Sequence, residues 1–349
     1  MSDPRFVPSA EVLDRVKQNL KQIVATYQRP DVKRSLWQVA DSVIPYLVLW
    51  YLAYRLLAVS YLLSLPVIVL AAGFMVRTFI IFHDCGHGSF FRSRVANDVL
   101  GIITGILTFT PYYDWRAEHA RHHATAGDLD RRGFGDVWTM TVDEYRHASF
   151  WQRVGYRFYR NPFVLLGIAP LYVFLLKQRL PRRRSGREVL SVIGTDLALV
   201  AIFWALFATI GVKATLLLEL PLLAIAGAAG VWLFYVQHQF EQVYWERHDM
   251  RDYLAVAMEG SSLYALPRVL QWFSGNIGFH HIHHLSPRIP NYRLPKAYRE
   301  QPVLQHVDRL TLFSSLRTLR LRLYDEASRR LIGFREARTL GGAPESLPF

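Results

Sequence analysis

Histidines fall into three clusters along the chain, and their spacing is typical of metal ligands. The clusters are His83/His87, His119/His122/His123 and His280/His283/His284. On a helix, residues three and four apart project from one face about 5–6 Å apart, so each cluster can offer several imidazoles to a metal. Neighbours at the third and fourth positions can also point to two different ions. Because these eight histidines exceed the three or four ligands of a zinc site, the sequence predicts two metal ions.

The other residue types narrow the chemistry but do not choose the metal. Cys85 is the single cysteine, which excludes a disulfide within the chain and a cysteine-rich zinc or iron–sulfur site. Its offset from the histidine face indicates a packing role. Imidazole suits iron, zinc, copper and nickel alike. Two redox metals beside an apolar region would suit the activation of dioxygen against an inert C–H bond.

Further polar residues near the clusters are candidate partners of the metal site. His238 follows the last apolar block and is interpreted as a ninth ligand, with a structural role at the membrane interface as the alternative. His281 lies off the His280/His284 face, which favours a supporting or packing role. Three carboxylates are candidates to orient imidazoles through the second ring nitrogen: Asp84, Asp128 and Glu241. The isolated histidines are interpreted as polar anchors at the interface or as satisfied hydrogen-bonding groups: His147, His248 and His306.

Composition indicates which kind of structure must position these side chains. Hydrophobic residues make up 51% of the 349 residues. The mean hydropathy is +0.11. This is too apolar for an ordinary soluble protein, and the apolar residues are gathered into long blocks. The sequence therefore predicts one integral membrane domain.

Four apolar blocks are long enough to cross a membrane as helices. The predicted spans are residues 42–57, 62–82, 189–210 and 214–236. Short, nearly uncharged connectors at 58–60 and 211–213 join them into two hairpins. We therefore predict an all-α integral membrane fold of four transmembrane helices in two hairpins, with a cytoplasmic helical cap that carries a two-metal site.

Charge predicts the orientation of these spans. The formal net charge is +13, and basic residues concentrate outside the hairpin connectors, as in 181–187. The positive-inside rule then puts both termini and residues 83–188 in the cytoplasm, with a bacterial inner membrane as the expected location. Two shorter apolar stretches, 99–111 and 162–176, are interpreted as interfacial or re-entrant helices. No nucleic-acid-binding motif is present, so a nucleic-acid partner is not expected.

The ends of the chain are predicted to lie outside the membrane. Residues 1–36 form an amphipathic cytoplasmic segment whose helix, at 10–28, would lie either on the membrane surface or on the protein's own cap. No cleavable signal peptide is apparent. Residues 37–300 form the membrane domain, and 301–349 are predicted to be a cytoplasmic amphipathic helix followed by a loose tail.

The three clusters resemble the histidine boxes of integral-membrane fatty-acid desaturases. They read H-x-x-x-H from His83, H-x-x-H-H from His119 and H-x-x-H-H from His280. The surrounding sequence is similar to the Δ12-type acyl-lipid branch, and the resemblance covers about residues 37–300. The segments that carry this likeness are Pro111-Tyr112-Tyr113-Asp114-Trp115, Gly127-Asp128-Leu129-Asp130, Gly135-Asp136-Val137-Trp138 and Gly275-Asn276-Ile277-Gly278-Phe279.

The resemblance implies a di-iron centre held by the box histidines and the formation of a cis double bond in an acyl chain with dioxygen and two electrons. His238 lies where related acyl-CoA desaturases place one more histidine. No fused b-type cytochrome domain is visible, so electrons are expected from a separate carrier such as ferredoxin or a b-type cytochrome. The basic cytoplasmic surface would attract an acidic carrier. The substrate is expected to be the acyl chain of a membrane lipid.

An acyl substrate also requires a long, narrow tunnel. The residues proposed to line it are Trp115, Trp138, Trp272, Phe273 and Asn276. Two other functions remain open on this pattern. A hydroxylase, acetylenase or carotenoid oxygenase would share the boxes and metals, and a membrane receptor would use the histidines to hold zinc without turnover.

Overall fold

The computed structural model describes residues 19, 22–133, 135–181 and 185–340. Most of this part of the chain is helical. In chain order the α-helices are α1 (Val32–Leu57), α2 (Tyr61–His87), α3 (Arg94–Leu107), α4 (Tyr112–Thr125), α5 (Val142–His147), α6 (Phe150–Tyr159), α7 (Ala169–Leu175), α8 (Gly186–Ile210), α9 (Val212–His238), α10 (Tyr253–Met258), α11 (Arg268–Phe273), α12 (His280–Leu285), α13 (Leu294–Glu300), α14 (Leu312–Ser315) and α15 (Phe334–Thr339).

Shorter elements connect these helices. A π-helix lies at Val164–Ile168, and 3₁₀ turns lie at Lys177–Arg179, His248–Met250, Asn291–Arg293, Pro302–Gln305 and Leu316–Arg320. The strands are β1 (Met140–Thr141), β2 (Leu263–Ala265), β3 (Arg309–Thr311), β4 (Leu323–Asp325) and β5 (Arg330–Ile332). In one sheet β4 pairs parallel to β1 and antiparallel to β5, and in a second sheet β2 pairs parallel to β3.

Helices α1, α2, α8 and α9 are long and apolar enough to cross a membrane. They correspond to the four predicted spans, but α1 begins ten residues earlier than residue 42, and α2 continues past residue 82 to His87. Turns at Ala58–Ser60 and at Gly211 make the two hairpins. The prediction of four membrane helices in a mainly helical protein is therefore confirmed.

Small polar contacts hold the spans together inside the apolar layer. The Ser64 hydroxyl of α2 donates to the Ala53 carbonyl of α1 at 3.0 Å. The Trp50 indole of α1 donates to the Glu219 carboxylate of α9 at 2.7 Å. In lipid a polar side chain without a partner is costly, so such contacts add to the close packing that drives helix association.

The apolar stretch near 162–176 is bent and does not cross the membrane alone. Helix α6 and the segment Val164–Arg179 meet at 61°. The α4 residue His122 and the α9 residue His238 have ring centroids only 4.9 Å apart, so an even number of crossings must separate them. Helices α8 and α9 already supply two. One further crossing by the bent pair would make three, so this contact favours the prediction of a re-entrant or interfacial segment.

The chain beyond residue 300 differs from its prediction. In place of one amphipathic helix, the described residues form the 3₁₀ turns, the strand pair β4–β5 and α15. Tyr324 and Leu331 of that pair are buried against Phe240 and Trp245, which follow α9. The leucine spacing was misread as a helix period because these strands are too short to show their own alternation. The tail at 341–349 lies outside the described residues.

Only part of the N-terminal segment can be compared with its prediction, because most of residues 10–21 lie outside the described residues. Residues 22–25 are helical. Val24 and Tyr27 are buried against Ile282 and Leu285 of α12. For the described part, this supports the alternative in which the segment lies on the protein's own cap.

Candidate metal centre

The three histidine clusters and His238 meet at one face of the spans because of where the helices end. Helix α2 ends at His87, where Gly88 adopts a left-handed conformation (φ +65°) and its N–H bonds the Cys85 carbonyl. His238 is the last residue of α9. Both spans therefore present carboxyl ends, with their partial negative charge, to the place where cations would bind. Helices α4 and α12 lie across these ends and bring the second and third clusters.

One group of imidazoles comes from α2, α4 and α12. His83, His87, His119 and His283 each offer a nitrogen, and these nitrogens lie within 4.8 Å of one another. His123 joins them, because its Nε2 lies 3.2 Å from that of His119 and 3.1 Å from that of His283. The first group thus has five imidazoles, which is more than a tetrahedral zinc site uses.

The second group adds the end of α9. His122, His238, His280 and His284 offer nitrogens that also lie within 4.8 Å of one another. The Nε2 atom of His280 is 2.9 Å from that of His238 and 3.1 Å from that of His284. The two groups adjoin, since the His123 and His284 rings stack with centroids 4.3 Å apart.

The nitrogen contacts fit metal ions better than hydrogen bonds. The Nε2 atom of His119 faces the Nε2 atoms of both His83, at 3.1 Å, and His123, at 3.2 Å. One Nε2 carries either a proton or a lone pair, so it cannot align well with both. Two nitrogens about 2.1 Å from one ion and near a right angle are about 3.0 Å apart. The Nε2 atoms of His87 and His122 are buried without hydrogen-bond partners.

Burial keeps these imidazoles in the form that binds metals. Desolvation, followed by the repulsion of neighbouring imidazoles, lowers the pKa well below the usual histidine value at His119, His123, His280, His283 and His284. Neutral rings retain a free lone pair at neutral pH, which is the state a metal requires.

Hydrogen bonds at Nδ1 orient the His83 and His238 rings so that each Nε2 atom faces the site. His83 Nδ1 lies 3.2 Å from Asp84, and His238 Nδ1 lies 3.2 Å from the Gly260 carbonyl. Asp84 is itself fixed, because its other oxygen accepts from the Asn291 backbone N–H at 2.7 Å and side-chain amide at 2.8 Å. This is the arrangement expected of Asp84 from the sequence, and it is common among metal-bound histidines.

The partner of His122 was missed by the sequence analysis. Asp136 Oδ1 lies 2.7 Å from His122 Nδ1, although the two residues belong to different segments. The sequence carries a signal for a turn near Asp136, because Gly133 (φ +99°) and Gly135 (φ +72°) adopt backbone conformations that other residues rarely adopt. Gly135 also runs so close to His122 that a Cβ would lie 3.3 Å from its Cβ.

Two of the proposed orienting carboxylates lie elsewhere. Asp128 is buried, but its Oδ2 binds His248 Nδ1 at 2.7 Å, so it orients no clustered histidine. The Glu241 side chain is 57% exposed and pairs with Arg330. Both predictions were wrong, because closeness in sequence to a cluster does not fix the direction of a loop side chain.

Histidines outside the two groups have other partners. His281 points away, as predicted, and its Nε2 bonds the Leu304 carbonyl at 2.9 Å. Cys85 is buried within an apolar cluster, in agreement with a packing role. His147 and His306 are exposed, and His248 pairs with Asp128.

The residues proposed to line a tunnel lie in different parts of the structure. Trp115 stacks on the His119 ring at 4.4 Å. Trp272 and Phe273 of α11 contact Phe74 of α2 edge to face, with centroids 5.7 and 5.1 Å away. Asn276 has a left-handed backbone (φ +60°) in the turn before α12.

Trp138 borders a cleft next to the second group. The cleft has a volume of about 700 Å³, and its wall includes Asp136, Trp138, Tyr159 and Lys177. Lys177 is exposed, and no carboxylate of the described residues pairs with it. Helix α6 exposes an apolar face made of Phe150, Trp151, Val154 and Phe158.

Comparison with known proteins agrees with this geometry. The protein-family model described as fatty acid desaturase matches residues 59–310. A fatty acid desaturase of Bacillus subtilis is 46% identical over 338 residues, covering 97% of this chain and 95% of its own. A Nostoc protein named sn-1 acyl-lipid omega-3 desaturase (ferredoxin) is 27% identical and covers 77% and 75%. A Picosynechococcus sn-1 oleoyl-lipid 12-desaturase is 28% identical and covers 70% and 71%.

Proposed function

The chain belongs to the fatty acid desaturase family, and from that premise we propose that it desaturates lipid-bound acyl chains with dioxygen and that its histidine groups would hold two iron ions for this reaction. The family and its relatives show the general function. The protein is a membrane acyl-chain desaturase, an oxidoreductase of lipid metabolism with a histidine cluster suited to metal. The proposal concerns the metal, its ligands, the carrier of the acyl chain and the source of electrons.

The observation that carries the proposal is the pair of adjoining histidine groups. His83, His87, His119, His123 and His283 would hold one iron, and His122, His238, His280 and His284 the other. Iron suits the nitrogen donors and their number, and the removal of hydrogen from an unactivated chain requires a redox metal. Bound iron would supply the activation of dioxygen.

The protein's own residues prepare the site for that chemistry. Asp84, Asp136 and the Gly260 carbonyl hold Nδ1 of three rings, so that each Nε2 points to the metal position. The burial of the second group and the partial burial of the first limit the access of bulk water, which protects reactive species from side reactions.

The overall reaction balances only with an external electron donor. Two hydrogen atoms leave adjacent carbons of the chain, and with two electrons and two protons from outside they reduce dioxygen to two waters. We assign the electrons to a separate acidic carrier, of the ferredoxin or b-type cytochrome kind. The net charge of +13 and the word ferredoxin in the Nostoc relative's name support this assignment.

The acyl chain would reach the metals as part of a membrane lipid. Relatives named as acyl-lipid and oleoyl-lipid desaturases support this carrier. The cleft beside Asp136 would receive the polar end of the lipid, with the Lys177 ammonium at its rim suited to a phosphate. Trp115 and Trp138 would line the path of the chain.

The orientation follows from charge. The site and both termini would face the cytoplasm of a bacterial cell, because the short connectors at 58–60 and 211 are poor in Lys and Arg while the other segments are rich in them. Residues 37–300 would form the catalytic domain, with 1–36 and 301–349 as cytoplasmic extensions.

The decisive experiment combines product and metal analysis. The protein and an inactive His283→Ala control are expressed in a bacterial host of known lipid composition, with ferredoxin and its reductase. Mass spectrometry with double-bond location is expected to find a new cis double bond only with the unsubstituted protein, and metal analysis two irons per chain. A new hydroxyl or triple bond without a new double bond would overturn the desaturase assignment. A single zinc without oxygen consumption would indicate a receptor.

A further inference from the structure

Arg160 is a buried cation that the proposed reaction does not use. Its side chain is fully buried where α6 ends. Among the residues that the structure describes, no carboxylate forms an ion pair with it, and its Nε–H has no hydrogen-bond partner. Burying a charge is costly unless it is compensated, so an apolar side chain of similar volume would often be as stable or more so. A buried arginine without an ion pair therefore indicates a specific structural or functional role.

The guanidinium binds three segments, and two of them lead to the second histidine group. One terminal nitrogen donates to the Trp138 carbonyl at 3.1 Å and to the Thr139 hydroxyl at 3.3 Å. The other donates to the Gln239 side-chain carbonyl at 2.9 Å and to the Leu321 backbone carbonyl at 2.9 Å. The Thr139 hydroxyl also bonds Gln239 at 3.3 Å, which closes the network.

One of these two segments leads to a carboxylate that contacts a ring of the group, and the other continues directly to a ring. Trp138 follows Asp136 by two residues, and Asp136 fixes His122 through the contact of 2.7 Å. Gln239 follows His238 at the end of α9. His122 and His238 have ring centroids 4.9 Å apart but lie on different helices, so their relative position depends on contacts between the two segments.

We infer that Arg160 is a positioning residue for the second histidine group, because it joins the Asp136 segment to the end of α9 and so fixes His122 relative to His238. The inference deepens the proposed function and rests on it for the identity of the metal. Arginine suits this role because its planar fork serves two segments at once. A lysine keeps the charge but offers a single nitrogen.

The test compares Arg160→Met and Arg160→Lys with a matched control, Tyr156→Phe. Tyr156 is also buried in α6, and its hydroxyl binds the Met140 N–H at 3.1 Å and the Arg322 carbonyl, but neither residues 136–139 nor residues 237–241. The rate of amide hydrogen exchange in the metal-free proteins measures how firmly Arg160 holds the two segments. Iron titration followed by Mössbauer spectroscopy reports the two metal positions separately.

For Arg160→Met we expect faster exchange confined to residues 136–139 and 237–241, and an affinity for one of the two irons reduced at least about tenfold. Arg160→Lys should fall between it and the unsubstituted protein, and Tyr156→Phe should keep both irons. Unchanged exchange in both segments, or two irons bound with unchanged affinity by Arg160→Met, would overturn the inference. An equal loss of both irons would do so too, because it would indicate a general structural role. If Arg160→Met does not fold, Arg160→Lys decides by the same readings.

The proposed function fails by a different result. If the unsubstituted protein binds no iron, the di-iron proposal is wrong, whereas the exchange of the two segments still decides whether Arg160 joins them.

Discussion

His122 Nδ1 lies 2.7 Å from Asp136 Oδ1, and this contact fixes the ring whose buried Nε2 has no hydrogen-bond partner. Because a carboxylate at one ring nitrogen makes the other a better donor to metal, Asp136 supports the second histidine group directly. Asp128 stands eight residues earlier and is more deeply buried, but it binds His248. The two aspartates therefore provide a matched pair for mutation.

Asp136→Leu is expected to reduce the affinity for one iron by about 10- to 100-fold, because His122 loses its orienting partner. Asp128→Leu should leave iron binding unchanged. Iron titration of the purified proteins in detergent measures both. Equal effects of the two substitutions would contradict the role given to Asp136.

His283 and His281 lie two residues apart on α12 but have different neighbours. His283→Ala should lose desaturation by more than about 100-fold, since a direct ligand matters more than an orienting partner. His281→Ala removes a bond to the Leu304 carbonyl and should cost about 1–3 kcal/mol of stability while keeping both irons. The lipid products, the metal content and the membrane insertion of both variants are compared with those of the unsubstituted protein. Active His283→Ala protein would refute its role as a ligand.

Acid is expected to destabilise the iron-free protein. Five cap histidines have pKa values lowered well below the usual value by desolvation: His119, His123, His280, His283 and His284. The unfolded chain therefore binds more protons as the pH falls below about 6.5, and stability present above that pH is lost. Thermal unfolding between pH 8 and 5 should show a falling midpoint. A constant or rising midpoint would show that these rings are not neutral in the folded state.

Gly278 permits the close backbone approach that places α12. Its carbonyl accepts the Tyr264 N–H at 2.8 Å, and a Cβ on Gly278 would lie 2.4 Å from the Tyr264 carbonyl oxygen. Gly278→Ala should therefore destabilise the protein by about 1–3 kcal/mol and weaken iron binding. Gly194→Ala in α8, where a Cβ meets nothing within 4 Å, is the control. Unfolding midpoints and iron content that match between the two variants would contradict this account.

Lys177→Gln tests the proposed lipid entrance. Loss of one exposed charge at the cleft should raise the KM for a phospholipid substrate roughly two- to fivefold and leave kcat unchanged. Lys296→Gln removes a comparably exposed lysine that pairs with Glu300 in the cap and should change neither constant. Rates are measured with phospholipid in detergent micelles. A lower kcat with constant KM would place Lys177 outside the binding of the polar end.

The sequence by itself determined the features that depend on local spacing and composition. Four spans follow from hydropathy, two hairpins from the short connectors at 58–60 and 211–213, and a histidine-rich candidate metal site from His83, His119 and His280 with their neighbours. These signals lie within a helical turn or a single apolar block, so no distant contact is needed to recognise them. The common face of the three clusters followed from counting the crossings between them.

Only the tertiary structure decided which groups face one another. It divided the histidines into two groups, brought His238 to His280 from 42 residues away, and gave His122 to Asp136 instead of Asp128. It also showed that the Glu241 side chain is exposed and that part of the chain beyond residue 300 forms the strands β4 and β5. The physical reason is that loop direction and the pairing of very short strands depend on contacts between distant segments, which leave no periodic pattern in the sequence.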